Sequence, residues 1–247
     1  MKDPKDGGSR IASVHNGSAL FTGDAGSSES GIRQYILEND LLECIIQLPN
    51  DIFYNTGITT YIWLLTNVKE ERRKGKVQLI NASSEEFYQK MRKSLGSKRV
   101  ELTAEHIQMI QEIYFAFEEN EYSKIFNNED FGFYQITVHQ PERDEKGNII
   151  TDSKGKPKSD KNLKDTENVP MRKGEKYQDV INDYFKKEVL PFAPEAWYDK
   201  AKMKVGYEIA FNKYFYQYEP LRSLEEIAVD ILQLEKETDG LLKDIIE

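Results

Sequence analysis

The stretch Leu41-Leu-Glu-Cys-Ile-Ile-Gln-Leu48 is an almost wholly apolar run and decides the fold class. A short run of this kind is typical of a strand that is covered on both faces, as in a sheet flanked by helices. Pro49-Asn-Asp51 follows directly and predicts where the strand ends. The run therefore predicts an α/β domain.

The neighbouring segments predict the rest of this sheet. Ile32, Tyr35 and Ile36 recur at helical spacing and predict an amphipathic helix over residues 29–39. Segments rich in branched and aromatic side chains predict further strands at residues 10–15, 58–66 and 76–80.

The order of these strands gives two expectations. The polar residues 67–75 join two predicted strands and predict an antiparallel hairpin at the edge of the sheet. Since the series of strands begins as early as residue 10, we expect the first half of the sheet to lie outside this chain.

The middle of the chain predicts helices and an exposed segment. Residues 84–126 have a helical pattern, and Phe131–Val138 predicts a strand. Residues 139–176 mix charges of both signs with Gly, Asn and Pro, which predicts an exposed arm with a hairpin at Lys146-Gly-Asn148. A solvated insertion without a direct function is the simpler interpretation of this arm.

The last third predicts helices and a coiled coil. Residues 177–190 have helical spacing, residues 205–218 alternate and predict a strand, and Ser223 and Glu226 form a capping box. Residues 223–247 then predict a helix that pairs with a partner helix, although a packed core helix is the ordinary alternative. The seam repeats at steps of three and four, at Leu224, Ile227, Ile231, Leu234, Thr238, Leu241 and Ile245.

Composition restricts the class of function. The net charge of −9 argues against a chain that holds nucleic acid by itself, because phosphates need clustered Lys and Arg. The lone Cys44 excludes a disulfide within the chain and fits a reducing cytoplasm. No apolar run has the roughly 20 residues that span a bilayer. We therefore expect a soluble, cytoplasmic protein.

The usual catalytic motifs are absent from the sequence. The three histidines lie far apart without ligand spacing, so no metal site is predicted. There is no Walker loop, no Gly-x-Gly-x-x-Gly and no nucleophile elbow.

One aromatic segment suits a planar base. Phe53 and Tyr54 precede the small, polar turn Asn55-Thr-Gly57 and an apolar strand. Stacking on a base contributes roughly 1–3 kcal/mol, and a glycine allows the backbone to approach closely. Aromatic side chains that close the end of a sheet are the alternative.

Several blocks of the sequence resemble the modification subunit of type I restriction-modification systems. In that family the modification subunit is an adenine-N6 DNA methyltransferase. The blocks are Gly7-Gly-Ser-Arg-Ile-Ala12, Asn16-Gly-Ser-Ala-Leu-Phe-Thr-Gly23, Ile32-Arg-Gln-Tyr-Ile-Leu-Glu-Asn-Asp40, the run from Leu48 to Asn67, Lys74-Gly-Lys-Val-Gln-Leu-Ile80, Val189-Leu-Pro-Phe-Ala-Pro-Glu-Ala-Trp197, Gly206-Tyr-Glu-Ile-Ala-Phe211 and Pro220-Leu-Arg-Ser-Leu-Glu-Glu-Ile227.

This resemblance implies the C-terminal part of a Rossmann-like, S-adenosylmethionine-dependent methyltransferase sheet, followed by a mostly helical region. The cofactor loop and the Asn-Pro-Pro-aromatic motif of the family are not present, so we expect no catalytic residue and no cofactor in this chain, and S-adenosylmethionine only in the full-length subunit. The implied regions are 1–82 (half of the methyltransferase domain), 83–138 (helical extension and strand), 139–176 (charged arm) and 177–247 (C-terminal helices, with the docking helix 223–247).

The resemblance also implies site residues. The target-base pocket is expected at Phe53, Tyr54, Asn55, Thr56, Gly57, Thr59, Thr60 and Tyr61, and a nearby loop at the sheet edge at Asn16, Gly17 and Ser18. Tyr54 is the preferred stacking residue, since alternation turns it away from Phe53.

The partners that the resemblance implies are the specificity subunit, a second modification subunit, the restriction subunit, and DNA through the complex. The specificity subunit would dock on the helix through Leu224, Ile227, Ile231, Leu234, Leu241 and Ile245. The alternative is a non-catalytic assembly module that acts only through this coiled coil.

Overall fold

The computed structural model describes residues 1–216, 218 and 221–246, and in the last helix it describes the side chains of 224–234 and 236–238. The strands are β1 (Arg10–Asn16), β2 (Leu42–Gln47), β3 (Thr60–Thr66), β4 (Lys76–Asn81), β5 (Gln89–Leu95), β6 (Lys98–Glu101), β7 (Ser123–Asn127), β8 (Gly132–His139), β9 (Asp165–Pro170), β10 (Trp197–Tyr198) and β11 (Lys204–Tyr207). The helices are α1 (Ser18–Phe21), α2 (Ser28–Glu38), α3 (Ala104–Ala116), α4 (Tyr177–Tyr184), α5 (Phe211–Phe215) and α6 (Leu224–Ile246).

The chain divides into two compact units, Met1–Phe215 and Tyr216–Glu247. The first unit contains the sheets and α1 to α5, and the second contains α6. A π-helical turn, Phe185–Val189, continues α4. Short 3-10 turns lie at Pro4–Asp6, Glu71–Arg73, Glu85–Phe87, Asn128–Phe131 and Lys200–Lys202.

The main sheet of the first unit has the strand order β1-β3-β2-β4-β7. β3 runs antiparallel to both β1 and β2, and β2 and β4 are parallel. β7 closes the far side antiparallel to β4. The predicted α/β fold class is therefore confirmed by a mixed sheet with helices packed against it.

The predicted hairpin of the third and fourth strands is wrong. β2 lies between β3 and β4, so these two strands are not neighbours. β2 is buried along nearly its whole length and takes a central position, where both of its edges are paired. Residues 67–75 instead carry the chain past the end of β2.

Two further predictions of secondary structure are wrong in part. Residues 84–126 were expected to be helical, but α3 is flanked there by the antiparallel pair β5 and β6 and by β7. Residues 205–218 were expected to be a strand, but the strand ends at Tyr207, and α5 follows. Local alternation of aromatic residues does not distinguish a strand from a short helix that packs on several sides.

The two faces of the main sheet carry separate clusters of buried side chains. Along β2 and β4, Ile45 and Leu79 belong to one cluster, which α1 and α2 cover with Leu20 and Leu37. The alternate residues on these strands belong to the other, which α3 covers, and they are Cys44, Ile46 and Ile80. The predicted burial of the 41–48 run on both faces is thus confirmed.

A second sheet is built around β8. β9 pairs with β8 along one edge, and β10 and β11 pair with its opposite ends. α4 packs on this sheet through Val180 and Ile181. β9 lies within the segment 139–176, and its Val169 is buried in the same cluster, while the turn at Asp144–Asn148 forms the expected small hairpin.

A buried guanidinium anchors the segment between β3 and β4. The Arg73 side chain is 1% exposed and lies 4.3 Å from the ring centroids of both Tyr114 and Phe117. It donates hydrogen bonds to the Gln78 Oε1 atom at 3.1 Å and to the Tyr114 carbonyl. The carboxylate of Glu43, also buried, lies 4.0 Å from it. α3 is therefore tied to the sheet through one planar cation.

We predict that Arg73→Lys lowers the free energy of unfolding by about 2 kcal/mol, because an ammonium group cannot stack on two rings and bond in a plane. Urea denaturation measures this change. The matched control is Arg92→Lys, since Arg92 is exposed on β5, and there we expect less than about 0.5 kcal/mol. Equal losses in the two variants would contradict the prediction.

Candidate functional site

The carboxyl ends of β1, β2 and β4 meet at one edge of the main sheet. Asn16 is opposite Thr60 at the start of β3, and Gln47 is paired with Tyr61 on one side and Asn81 on the other. In open α/β sheets, ligands bind outside the carboxyl ends of the strands. This edge is therefore the first place to look for a site.

A cavity of about 500 Å³ opens at this edge, and we call it the edge cavity. It is formed by the turn from β1 into α1, by the start of β3, and by the segment after β11. Asn16, Gly17 and Ser18 come from the first of these, and Thr59 and Tyr61 from the second. Five residues that the sequence places in two separate groups thus line one cavity.

Tyr61 forms an aromatic wall of the edge cavity. It is 4% exposed, and its ring meets the Phe211 ring edge to face at 5.3 Å between centroids. Burial raises the pKa of Tyr61, so its phenol stays protonated at neutral pH. Gly17 packs on the same ring, and a β-carbon at that position would lie 3.5 Å from it.

The predicted aromatic pair is divided between two environments. Phe53 and Thr56 are bridged across a tight turn, and Phe53 packs on the buried cluster that contains Cys44. Tyr54, at the tip, is 68% exposed. Phe53 therefore closes one end of the sheet, as the alternative interpretation expected, while the ring of Tyr54 is free to contact a ligand.

The remaining residues of the turn hold its shape. Asn55 and Gly57 are exposed, and the Thr56 hydroxyl accepts the Ile58 N–H at 3.4 Å. A β-carbon at Gly57 would lie 2.6 Å from the Asp51 carboxylate, so that side chain would have to turn away to accommodate another residue. Residues 53–57 are not part of the lining of the edge cavity.

The two threonines before the strand differ. The Thr59 hydroxyl donates to the Asn50 side chain at 2.6 Å. Thr60 is buried, and its hydroxyl has no hydrogen-bond partner among the atoms that the structure describes. Thr59 lines the edge cavity and also a polar cleft of about 670 Å³ on the other side of the loop, next to β5 and β6.

Sequence reasoning missed the third wall of the edge cavity, residues 208–213. The Ile209 N–H donates to the Leu20 carbonyl at 2.9 Å, and the Glu208 N–H donates to the Phe131 carbonyl at 2.9 Å. The sequence indicated this segment only through the aromatic run 205–218 and the family-like block Gly206–Phe211, and neither carries information on where in the fold it packs.

Arg33 joins this wall to the opposite one. From α2, its guanidinium donates to three backbone carbonyls, those of Tyr207 at 2.6 Å, Ala19 at 3.2 Å and Thr22 at 2.8 Å. Burial lowers the pKa of Arg33, and the carboxylates of Glu208 and Glu29 oppose that effect. An arginine remains charged under these conditions. The side chain therefore fixes both ends of the cavity to one helix.

The described residues contain no group of three or more His, Cys, Asp or Glu side chains that could hold a metal ion. Within the same residues, no helix is both long and apolar enough to cross a bilayer. The lining of the edge cavity combines apolar side chains, among them Leu20, Ile58 and Phe211, with polar groups such as those of Asn16 and Thr59. Such a mixture suits recognition of a planar, polar ligand by shape and hydrogen bonding.

A family model described as N-6 DNA Methylase matches residues 2–188. The chain belongs to the N-6 DNA methylase family. The match includes the β1–α1 turn, the 50–61 loop and both sheets up to α4, and so contains two of the three walls of the edge cavity.

Individual relatives of this N-6 DNA methylase chain are methylase subunits. The type I restriction enzyme MjaIX methylase subunit of Methanocaldococcus jannaschii is 32% identical over 114 residues, which are 46% of this chain and 19% of that protein. The MjaVII methylase subunit of the same organism is 42% identical over 76 residues, 31% of this chain and 13% of that protein. The predicted resemblance to type I modification subunits is thus confirmed.

A solved structure gives a similar picture of coverage. The type I restriction-modification system methyltransferase subunit from Streptococcus thermophilus is 28% identical, with a TM-score of 0.41, over 49% of this chain and 24% of that one. The matched part spans less than one fifth of the length of the curated relatives.

We predict that Arg33→Met lowers the free energy of unfolding by about 3–5 kcal/mol, because three buried carbonyls lose a charged donor. Denaturation followed by tryptophan fluorescence measures this, since Trp63 lies in the main sheet. Tyr35→Met, at a 63% exposed site on the same helix, is the matched control and should change stability by less than about 0.5 kcal/mol. A similar midpoint in both variants would refute the role given to Arg33.

Proposed function

We propose that this chain supplies part of the target-adenine pocket of a DNA adenine-N6 methyltransferase, the modification subunit of a type I restriction-modification complex. The observation that carries the proposal is the edge cavity, where Asn16–Ser18 from one strand end and Thr59 and Tyr61 from the next lie together. Family membership and the methylase relatives support the same assignment.

The chemistry of the pocket follows from its side chains. A flipped-out base needs stacking surfaces and hydrogen-bonding groups, and a volume of about 500 Å³ is ample for a purine. Tyr61 supplies an aromatic wall from inside the sheet, and Tyr54 supplies an exposed ring from the turn. We propose that this chain shapes and stacks the base and contributes no nucleophile.

The methyl group would come from S-adenosylmethionine: its carbon would pass from the sulfonium sulfur to adenine N6, the thioether S-adenosylhomocysteine would leave, and N6 would lose one proton. We propose that the full-length subunit binds this cofactor outside the present chain. The glycines at 23 and 26 follow α1 and not a strand, so this loop lacks the strand-to-helix turn that presents backbone N–H groups to such a ligand.

β1 supports a larger methyltransferase sheet. It is one of the two edge strands of the main sheet, and its side chains Ile11 and Val14 are 45% and 52% exposed. Long edge strands with apolar side chains are normally covered by another element. We propose that the cofactor-binding half of the sheet covers this edge in the full-length subunit.

The second unit supports a different activity, assembly. The α6 residues Leu224, Ile231 and Leu234 are 81%, 59% and 60% exposed, and Ile227 is 39% exposed. Leu241 and Ile245 belong to the same predicted seam, but their side chains lie outside the described residues. We propose that this helix docks on a coiled-coil helix of the specificity subunit. The complex would add a second modification subunit, the restriction subunit and DNA.

A non-catalytic assembly module remains the second candidate function. The separate compact unit Tyr216–Glu247 favours it, because such a helix could bind a partner whatever the edge cavity does. The two proposals concern different ends of the chain, and each has its own test.

For the base pocket, we predict that Tyr54→Ala in the full-length modification subunit lowers methylation of a DNA duplex by about 5- to 150-fold, the equivalent of 1–3 kcal/mol of lost stacking. Affinity for S-adenosylmethionine should not change. Tyr35→Ala, on the exposed face of α2, is the matched control and should methylate normally. Unchanged turnover of the Tyr54 variant would remove Tyr54 from the site.

For the docking helix, we predict that Ile231→Asp abolishes co-purification with the specificity subunit, because a carboxylate cannot be buried unpaired in a helix seam. Val229→Asp places the same charge on the side opposite the seam, at a residue that is 61% exposed, and should leave co-purification intact. Circular dichroism checks that both variants keep their helix content. If the Ile231 variant co-purified with the specificity subunit at the normal level, the proposal that this seam is the docking surface would be wrong.

A further inference from the structure

The antiparallel pair β5 and β6, residues 89–101, is basic although the chain as a whole has a net charge of −9. We call this pair the basic hairpin. It contains a single acidic residue, Glu101, which pairs with Gln89. Its five basic residues are Lys90, Arg92, Lys93, Lys98 and Arg99.

These positive charges are not neutralised within the chain. Elsewhere, cations such as Lys69, Arg73 and Arg172 form ion pairs with carboxylates. Among the residues that the structure describes, none of the five hairpin cations has a carboxylate within ion-pair distance. Four are exposed, and Lys98 is half-buried. A concentrated, unpaired positive field is what an anionic ligand requires.

The basic hairpin is held against the turn that carries Tyr54. The Ser97 N–H donates to the Tyr54 carbonyl at 2.9 Å, and the Arg99 N–H donates to the Asp51 carbonyl at 2.9 Å. Gly96 makes the contact possible, because a β-carbon there would lie 2.6 Å from the Tyr54 carbonyl oxygen. The position of the charges relative to Tyr54 is therefore set by backbone contacts.

The polar cleft of about 670 Å³ lies between the basic hairpin and the 50–59 loop. Lys90 and Arg99 line it on the hairpin side, and Asn50 and Thr59 line it on the loop side. The carboxylate of Asp51 also faces it, so the cations exceed the anions by one in the lining. Thr59 also lines the edge cavity, so the polar cleft and the edge cavity lie on either side of this one residue.

We propose that the basic hairpin binds the phosphates of the DNA strand that carries the target adenine. The proposal rests on the proposed function, since it takes the edge cavity as the place of the flipped base. A nucleotide that leaves the stack rotates about its backbone, so the phosphates beside it must lie close to the base pocket. The hairpin places two cations, Lys90 and Arg99, in the polar cleft beside the edge cavity, and it carries three more, in a chain that is otherwise acidic.

The test is fluorescence anisotropy of the full-length modification subunit with a labelled DNA duplex that has one adenine opposite an abasic position, which lowers the cost of flipping. The hairpin variant combines Lys90→Gln, Arg92→Gln, Lys93→Gln, Lys98→Gln and Arg99→Gln. The matched control removes five charges from the 139–176 segment, by Lys146→Gln, Lys154→Gln, Lys156→Gln, Lys158→Gln and Lys161→Gln. Both variants therefore have the same net charge, and circular dichroism checks their folding.

We expect the unmodified subunit to bind below about 50 mM salt, and the hairpin variant to bind at least tenfold more weakly. The slope of log affinity against log salt should become shallower by about 0.9 for each phosphate contact that is lost. The control should change the affinity by less than about threefold and leave the slope as it was.

Equal losses in the two variants would overturn the proposal, because net charge alone would then account for binding. Absence of salt-dependent binding by the unmodified subunit would overturn it as well. Failure of the proposed function is recognised separately: Asn16→Ala in the edge cavity would leave methylation by the full-length subunit unchanged, while the hairpin variant would still lose affinity for DNA.

Discussion

The position of β3 between β1 and β2 is the constraint on which the rest of the structure depends. β3 runs against both neighbours, so its amino end lies beside the carboxyl ends of strands that point the other way. That arrangement brings Asn16 next to Thr60 and places the 50–59 loop over the same edge. If β3 paired with β4 instead, these segments would lie apart, and the edge cavity would not exist.

Contacts between distant parts of the chain complete the cavity, and this limits what sequence reasoning could find. Arg33 and the Tyr207 carbonyl are 174 positions apart, yet one hydrogen bond joins them. The sequence blocks around Asn16 and Thr59 were recognised through their resemblance to a family, but no pattern within residues 208–213 indicates which wall they form. Phe53 and Tyr54 were named as a pair, whereas the turn buries one ring and exposes the other.

Elements that depend on local periodicity were predicted well. β1, β2, β3 and α2 begin and end within about two residues of the expected positions, because alternation, apolar runs and turn residues determine them. β5 and β6 have few apolar side chains and are held by backbone hydrogen bonds to the 50–57 loop. Their sequences therefore lack the apolar–polar alternation by which a strand is predicted. The strands that pair with β4 could not be predicted from the residues around it either, because the order of strands depends on which strand is buried most completely.

The burial of Cys44 on the central strand has a chemical consequence. Its thiol lies in the cluster between the main sheet and α3, and burial raises its pKa well above the ordinary range. Oxidants and alkylating reagents attack the thiolate, which is therefore both scarce and out of reach in the folded chain. The single thiol of this chain is therefore unreactive while β2 stays paired with β3 and β4. It becomes reactive only when the centre of the sheet unfolds.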